Sequence, residues 1–213
     1  MASGNVVPIL DISPKQIYQI FLQQKQIAPT AKQKLTNKYS NIEIDWEKVY
    51  TLAFQCTLDT KIREFQYKIL NCIIFTNEKL NLIGVVESPN CTFCQEATES
   101  VEHLLFSCRI TSNFWKHVLS WLRDNDVHVG IINEPDIIFG KSDIVKDYIL
   151  INHILLLGKY YIYCRKCQNS LPTLRGFIAR TRRVFNIELH IAREKNKLLF
   201  HLQKWEKLIN ELK

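Results

Sequence analysis

Apolar positions recur at three- and four-residue spacing along most of the chain, and that period predicts helices. Ser13-Pro14-Lys15-Gln16 reads as a capping box with Pro at the first helical position, and Ile17, Ile20 and Phe21 follow on one face. Asp45 stands before Trp46, Val49, Tyr50, Ala53 and Phe54, and Asp59 stands before Ile62, Phe65, Gln66, Ile69 and Ile73. Each aspartate is an N-cap in front of an amphipathic stripe. Thr76 starts a short helix or turn that ends near Gly84. A further helix carries Phe114, Trp115, Val118, Leu119 and Leu122 and is closed by Asp124-Asn125-Asp126. Residues 125–142, with Gly130, Pro135 and Gly140, read as a connector with short pieces of structure. Asp143 is placed to cap a long helix through about Gln168, apolar on most sides and so central to the core. After a turn at Asn169 to Pro172, Thr173 is the next cap. Beyond it Phe177, Val184, Ile191, Leu198, Trp205 and Leu212 repeat every seven positions, which predicts one long terminal helix with a single seam.

Composition adds limits. A chain of 213 residues with 46% hydrophobic and 23% charged positions has the make-up of a folded globular domain, with or without a small satellite. Six Gly and six Pro exclude collagen-like and low-complexity classes. The start MASGNVVPIL has no basic n-region and no long apolar h-region, so no secretory signal is expected. The most apolar stretch, Tyr148 to Tyr163, contains Asn152, His153 and Lys159, and is too short and too polar to span a bilayer. No membrane partner is expected. Seven cysteines cannot all pair, which points to reduced thiols in the nucleus and cytoplasm.

Charge is distributed unevenly. The net value is +7, yet residues 57–147 carry 9 basic and 13 acidic side chains, whereas residues 148–213 carry 13 and 4. Between Tyr148 and Ile187 there is no Asp or Glu at all. Such asymmetry points to an anionic partner engaged by one end of the molecule.

Chemistry concentrates in Cys91-Thr92-Phe93-Cys94, followed by His103 and Cys108. Two cysteines with two residues between them place their sulfurs on one tight turn at a bite that suits a tetrahedral ion. His103 and Cys108 supply a second pair at ordinary zinc-module spacing. Three thiolates and an imidazole favour Zn²⁺. With all four positions filled by protein the site is closed, and a closed site is structural rather than hydrolytic. The expected fold is therefore mainly α: an irregular helical bundle with a small zinc-knuckle insertion and a long basic C-terminal helix. Its divisions are N-terminal helices at 1–56, a zinc-binding helical region at 57–124, the connector at 125–142 and a basic helical region at 143–213. Cys164 and Cys167 share the short spacing but lack nearby partners; buried or half-exposed free thiols are the favoured reading.

Several runs together resemble the reverse-transcriptase zinc-binding region that closes the open reading frame of non-LTR (LINE-type) retrotransposons. They are Phe65-Gln66-Tyr67-Lys68-Ile69-Leu70, Ser88-Pro89-Asn90-Cys91-Thr92-Phe93-Cys94, Glu102-His103-Leu104-Leu105-Phe106-Ser107-Cys108 and Phe114-Trp115. Gly158-Lys159-Tyr160-Tyr161-Ile162-Tyr163, Arg175-Gly176-Phe177 and Trp205-Glu206-Lys207 are similar as well. The resemblance implies a module after the polymerase thumb that helps hold template RNA during target-primed reverse transcription. It maps the metal ligands onto Cys91, Cys94, His103 and Cys108, and implies RNA (or DNA) and the polymerase domain of the parent polyprotein as partners. No Tyr-x-Asp-Asp sequence is present and no two acidic residues adjoin, so no polymerase activity is expected of this chain. The competing reading is a domesticated helical protein–protein interaction module with a purely structural zinc site.

Glu96, Glu99 and Glu102 surround the proposed ligands, a surface expected to repel phosphate, so the nucleic-acid contact is assigned to the basic end. The candidates are Lys159, Arg165, Lys166, Arg175, Arg180, Arg182, Arg183, Arg193 and Lys197. Tyr160, Tyr161 and Tyr163 are interleaved with them and would suit base stacking, though core packing is the favoured reading.

Overall fold

The structure, a computed structural model, describes residues 13–25, 30–141 and 147–212. Two compact units divide between residues 38 and 39. The first holds α1 (Pro14–Lys25) and α2 (Thr30–Lys38). Its capping box forms as the sequence predicts: the Ser13 backbone N–H donates to Gln16 Oε1 at 2.8 Å, and the Gln16 N–H donates back to Ser13 Oγ at 3.3 Å.

The second unit runs α3 (Trp46–Cys56), α4 (Thr60–Leu70), α5 (Asn77–Leu82), a π turn (His103–Ser107), α6 (Arg109–Asp124), α7 (Glu134–Phe139), α8 (Tyr148–Cys167), α9 (Leu174–Glu194) and α10 (Leu198–Trp205). A 3₁₀ turn (Glu206–Leu208) and α11 (Ile209–Leu212) follow. No strand occurs among the described residues, and Asn90 and Thr98 form an isolated antiparallel bridge. Asp45, Asp59 and Thr173 cap their helices through side-chain bonds to Lys48, Lys61 and Gly176 backbone N–H groups. The Asp143 cap lies outside the described residues.

Helix α8 is the axis. Leu150 through Lys159 are buried without interruption, and α3, α4, the π turn, α9 and α10 all pack around it. Two glycines allow this. Gly140, at φ 92°, sits where a Cβ would run into Leu52 and Asn152. Gly158 lies under the Trp115 ring, and any Cβ there would overlap it, so the indole of α6 rests directly on the α8 backbone at this point. Trp115, Trp121 and Trp205 are core residues, while Trp46 is half-buried.

The single long C-terminal helix does not form. Helix α9 ends at Glu194, Asn196 adopts a left-handed φ of 54°, and α10 turns back onto α9. Asparagine tolerates that conformation better than most residues. The seven-residue seam also fails within α9, where the buried stripe is Phe177, Thr181, Phe185, Glu188 and Ala192. Positions seven apart drift by about 20° per repeat on a straight helix, so a packed face follows threes and fours instead.

Candidate metal centre and basic face

A tight turn at residues 91–95 builds the first half of the centre. Gln95 N–H donates to the Cys91 carbonyl at 2.9 Å with Gln95 at φ 59°, while Cys91 N–H bonds the Ala97 carbonyl and Glu99 N–H bonds the Pro89 carbonyl. This miniature hairpin presents Cys91 and Cys94 side by side, and the Phe93 N–H donates to Cys91 Sγ at 3.4 Å. The second half depends on the π turn. In an α-helix, residues five apart point about 140° away from one another and could not share an ion. Here the Cys108 N–H bonds the His103 carbonyl at 2.8 Å, an i to i+5 closure that turns both side chains to one side.

The ligand atoms of Cys91, Cys94, His103 and Cys108 all lie within 4.8 Å of one another. Cys91 Sγ and Cys108 Sγ are 3.8 Å apart, and Cys94 Sγ is 3.3 Å from His103 Nε2. Zn–S bonds of about 2.3 Å in a tetrahedron put two sulfurs about 3.8 Å apart, so the donor set and its spacing fit Zn²⁺. The Cys91 thiol donating to it and N–H groups of the first turn of α6 hold the Cys108 thiol below its ordinary value; the same contact and burial push Cys91 up.

Around the ligands the structure revises the expected acidic surface. Glu99 is wholly buried; its carboxylate accepts from Asn77 N–H at 2.9 Å and Thr92 N–H at 2.7 Å, and lies 3.3 Å from Lys166 Nζ. It caps α5, where Thr76 makes no side-chain bond, and it ties the knuckle to α8. Glu96 is exposed and pairs with Arg109 at 3.0 Å. The Trp115 indole N–H bonds the Leu105 carbonyl at 2.7 Å, anchoring the π turn to α6. Sequence reasoning passed over the roles of Glu99 and Lys166, because nothing local marks two charges 67 positions apart as partners.

The basic candidates divide. Lys159 and Lys166 are corrected: both are buried on α8 and cannot meet a phosphate. Lys159 Nζ donates to Gln66 Oε1 at 2.6 Å, and burial pulls its pKa down to about 7. Arg165 is half-buried and donates to Gln168 at 2.9 Å, while Arg180 lies over the Tyr160 ring at 4.8 Å. The absence of nearby acids misled here, since amides, carbonyls, an aromatic ring and the distant Glu99 serve as partners. Tyr161 is buried and Tyr160 and Tyr163 pack on Phe65, which is core packing. Arg175, Arg182, Arg183, Arg193 and Lys197 remain exposed, the first four on α9.

A family model described as zinc-binding in reverse transcriptase matches residues 13–115, a stretch that contains all four ligands and ends at Trp115. No curated protein matches the chain. Among the described residues, no helix is long and apolar enough to cross a membrane.

Proposed function

We propose that the chain is the nucleic-acid-binding module of a LINE-type retrotransposon reverse transcriptase, placed after the polymerase domain and helping to hold template RNA. Zn²⁺ on Cys91, Cys94, His103 and Cys108 serves the fold: four protein ligands leave no open position for a reacting water. The module performs no chemistry alone and works in the nucleus and cytoplasm beside the polymerase.

One observation carries the reading. Arg175, Arg182 and Arg193 are spaced seven and eleven positions apart, close to whole numbers of helical turns, so they line up along the solvent side of α9 with Arg183 beside them. The row spans about 27 Å. Glu188, the first acid after Asp147, lies on the opposite, buried face. A helix surface of this kind meets a phosphate backbone through sequence-independent contacts.

In the competing reading a partner protein docks on the seven-residue seam. Phe177, Trp205 and Leu212 of that seam are buried against the chain itself and Leu198 is exposed, so most of it is not open to a partner, which favours the nucleic-acid reading. Fluorescence anisotropy with single-stranded RNA at two salt concentrations tests it. Binding should weaken steeply with salt, and Arg175→Glu/Arg182→Glu/Arg183→Glu should abolish most of the affinity at unchanged helical content. Unchanged affinity in that variant rejects the assignment.

A further inference from the structure

Between the α3–α4 junction and the paired helices α9 and α10 lies a groove of about 490 Å³. Its walls are aromatic and aliphatic: Phe54 and Leu58 on one side, Ile191 and Phe200 on the other. Phe54 and Phe200 expose 64% and 63% of their surface, an unusual state for large apolar rings in a folded chain. Phe54 is held in place. The Arg63 guanidinium sits 5.0 Å from the ring centroid, in the depression on the far side, and its Nε–H is anchored on the Thr57 carbonyl at 2.7 Å.

The groove floor is polar. Glu188 Oε2 accepts from Lys204 Nζ at 2.9 Å and from the Trp205 indole N–H at 3.1 Å, so this carboxylate is neutralised in place. His201, only 4% exposed, also lines the groove, and its Nε2 has no hydrogen-bond partner. Burial lowers the pKa of His201, which keeps the ring neutral. A buried neutral imidazole nitrogen without a partner leaves one polar position for an incoming group. At the rim stand Lys195 and Lys197, both exposed. The groove lies on the Glu188 side of α9, opposite the arginine row; the two meet at the end of the helix, where Ile191 lines both the groove and the shallow depression beside Arg182 and Arg183, and where Arg193, Lys195 and Lys197 follow one another in the chain.

We infer that this groove receives one unpaired nucleobase of the single strand held along α9. A base presents flat apolar faces, which suit exposed phenylalanine rings, and a polar edge, which suits the His201 nitrogen. The phosphates on either side fall to Lys195 and Lys197. A greasy peptide segment would use the walls but would leave Lys195 and Lys197 at the rim unanswered. The inference rests on the nucleic-acid reading above and adds to it a place where bases, rather than backbone, are contacted.

The test uses the whole chain loaded with zinc and two RNA 12-mers of identical length, one of ordinary sequence and one in which the central residues are abasic. Wild type should bind the ordinary strand about tenfold or more tightly than the abasic one, as expected for loss of base–aromatic stacking. Phe54→Ala and Phe200→Ala, both at exposed positions, should lower affinity for the ordinary strand to the abasic level. Neither variant should alter abasic binding or the salt dependence. A 2-aminopurine at the central position should be quenched on binding to wild type and not to Phe54→Ala. Equal binding of the two strands by wild type overturns the base site while leaving the basic-face reading intact. Failure to bind either strand overturns both. Binding equal to wild type in both phenylalanine variants, together with self-association of wild type in light scattering, would make the groove a protein interface and overturn the base site.

Discussion

The Glu99 carboxylate lies 3.3 Å from the Lys166 ammonium, with side chains 0% and 7% exposed. One charge belongs to the metal loop and the other to the central helix. Their pairing makes the knuckle a part of the bundle rather than an appendage, because Glu99 also takes the first free N–H of α5 and the Thr92 N–H inside the ligand turn.

Removing one member therefore costs more than the pair contributes. Glu99→Ala is expected to destabilise the protein by about 3–5 kcal/mol, since a buried ammonium is left without its partner. Lys166→Met should cost less, because the carboxylate keeps its two N–H donors. Chemical denaturation of both variants and of the double variant measures the coupling. Equal losses in the two single variants would contradict this arrangement.

Chelation should act locally first. Without the ion, the hairpin at residues 88–99 and the π turn lose what joins them, while α3, α4, α8 and α9 retain their own apolar contacts. Hydrogen exchange is expected to show lost protection at residues 91–108 before the rest. Cys108→Ser should reproduce the pattern and reduce bound zinc from about one per chain toward zero by elemental analysis. Metal retention should also fall as pH is lowered, because thiolates and imidazole must lose protons to ligate.

Gly158 and Trp115 define a contact that tolerates no added atom. Gly158→Ala should destabilise by about 1–3 kcal/mol through overpacking. Combining it with Trp115→Leu should recover part of that loss, whereas Trp115→Leu alone is destabilising for a second reason: the Leu105 carbonyl loses its indole donor. A double-mutant cycle by thermal or denaturant unfolding reads the coupling.

Lys159 gives a pH signature. Its folded pKa of about 7 lies below the ordinary value of 10.5, so between those limits the unfolded chain binds more protons than the folded one. This group therefore makes stability rise with pH across that window and contributes no slope well above or below it. Lys159→Met should remove the rise, so that the stability difference between wild type and variant changes from pH 7 to pH 10.5 in favour of wild type. Parallel pH profiles of the two proteins would exclude a perturbed lysine.

Local chemistry was legible in the sequence, and distant partnership was not. Ser13, Asp45, Asp59 and Thr173 cap helices because capping depends on three or four neighbouring residues. Ligand spacing brought Cys91, Cys94, His103 and Cys108 together correctly. Lys159 and Lys166 looked like free cations because their partners, Gln66 and Glu99, stand 93 and 67 positions away. The heptad spacing looked continuous because apolar residues on both sides of the Asn196 break kept the same count. Periodicity records which residues are apolar, and a single left-handed residue can reverse the chain without disturbing it.

The π turn has a consequence beyond bringing His103 to Cys108. An i to i+5 closure holds one residue more than an α-helical turn, and each residue sets the helix that follows by about 100° of rotation. Deleting one position between the two ligands would still leave a histidine and a cysteine four apart, near enough on a plain helix to grip an ion. What would be lost is the azimuth of α6: its indole would swing off the glycine notch in α8 and its apolar stripe would face water. Length tolerance at the metal and intolerance in the core thus part company at this loop, and the bundle, not the ion, fixes the number of residues it must contain.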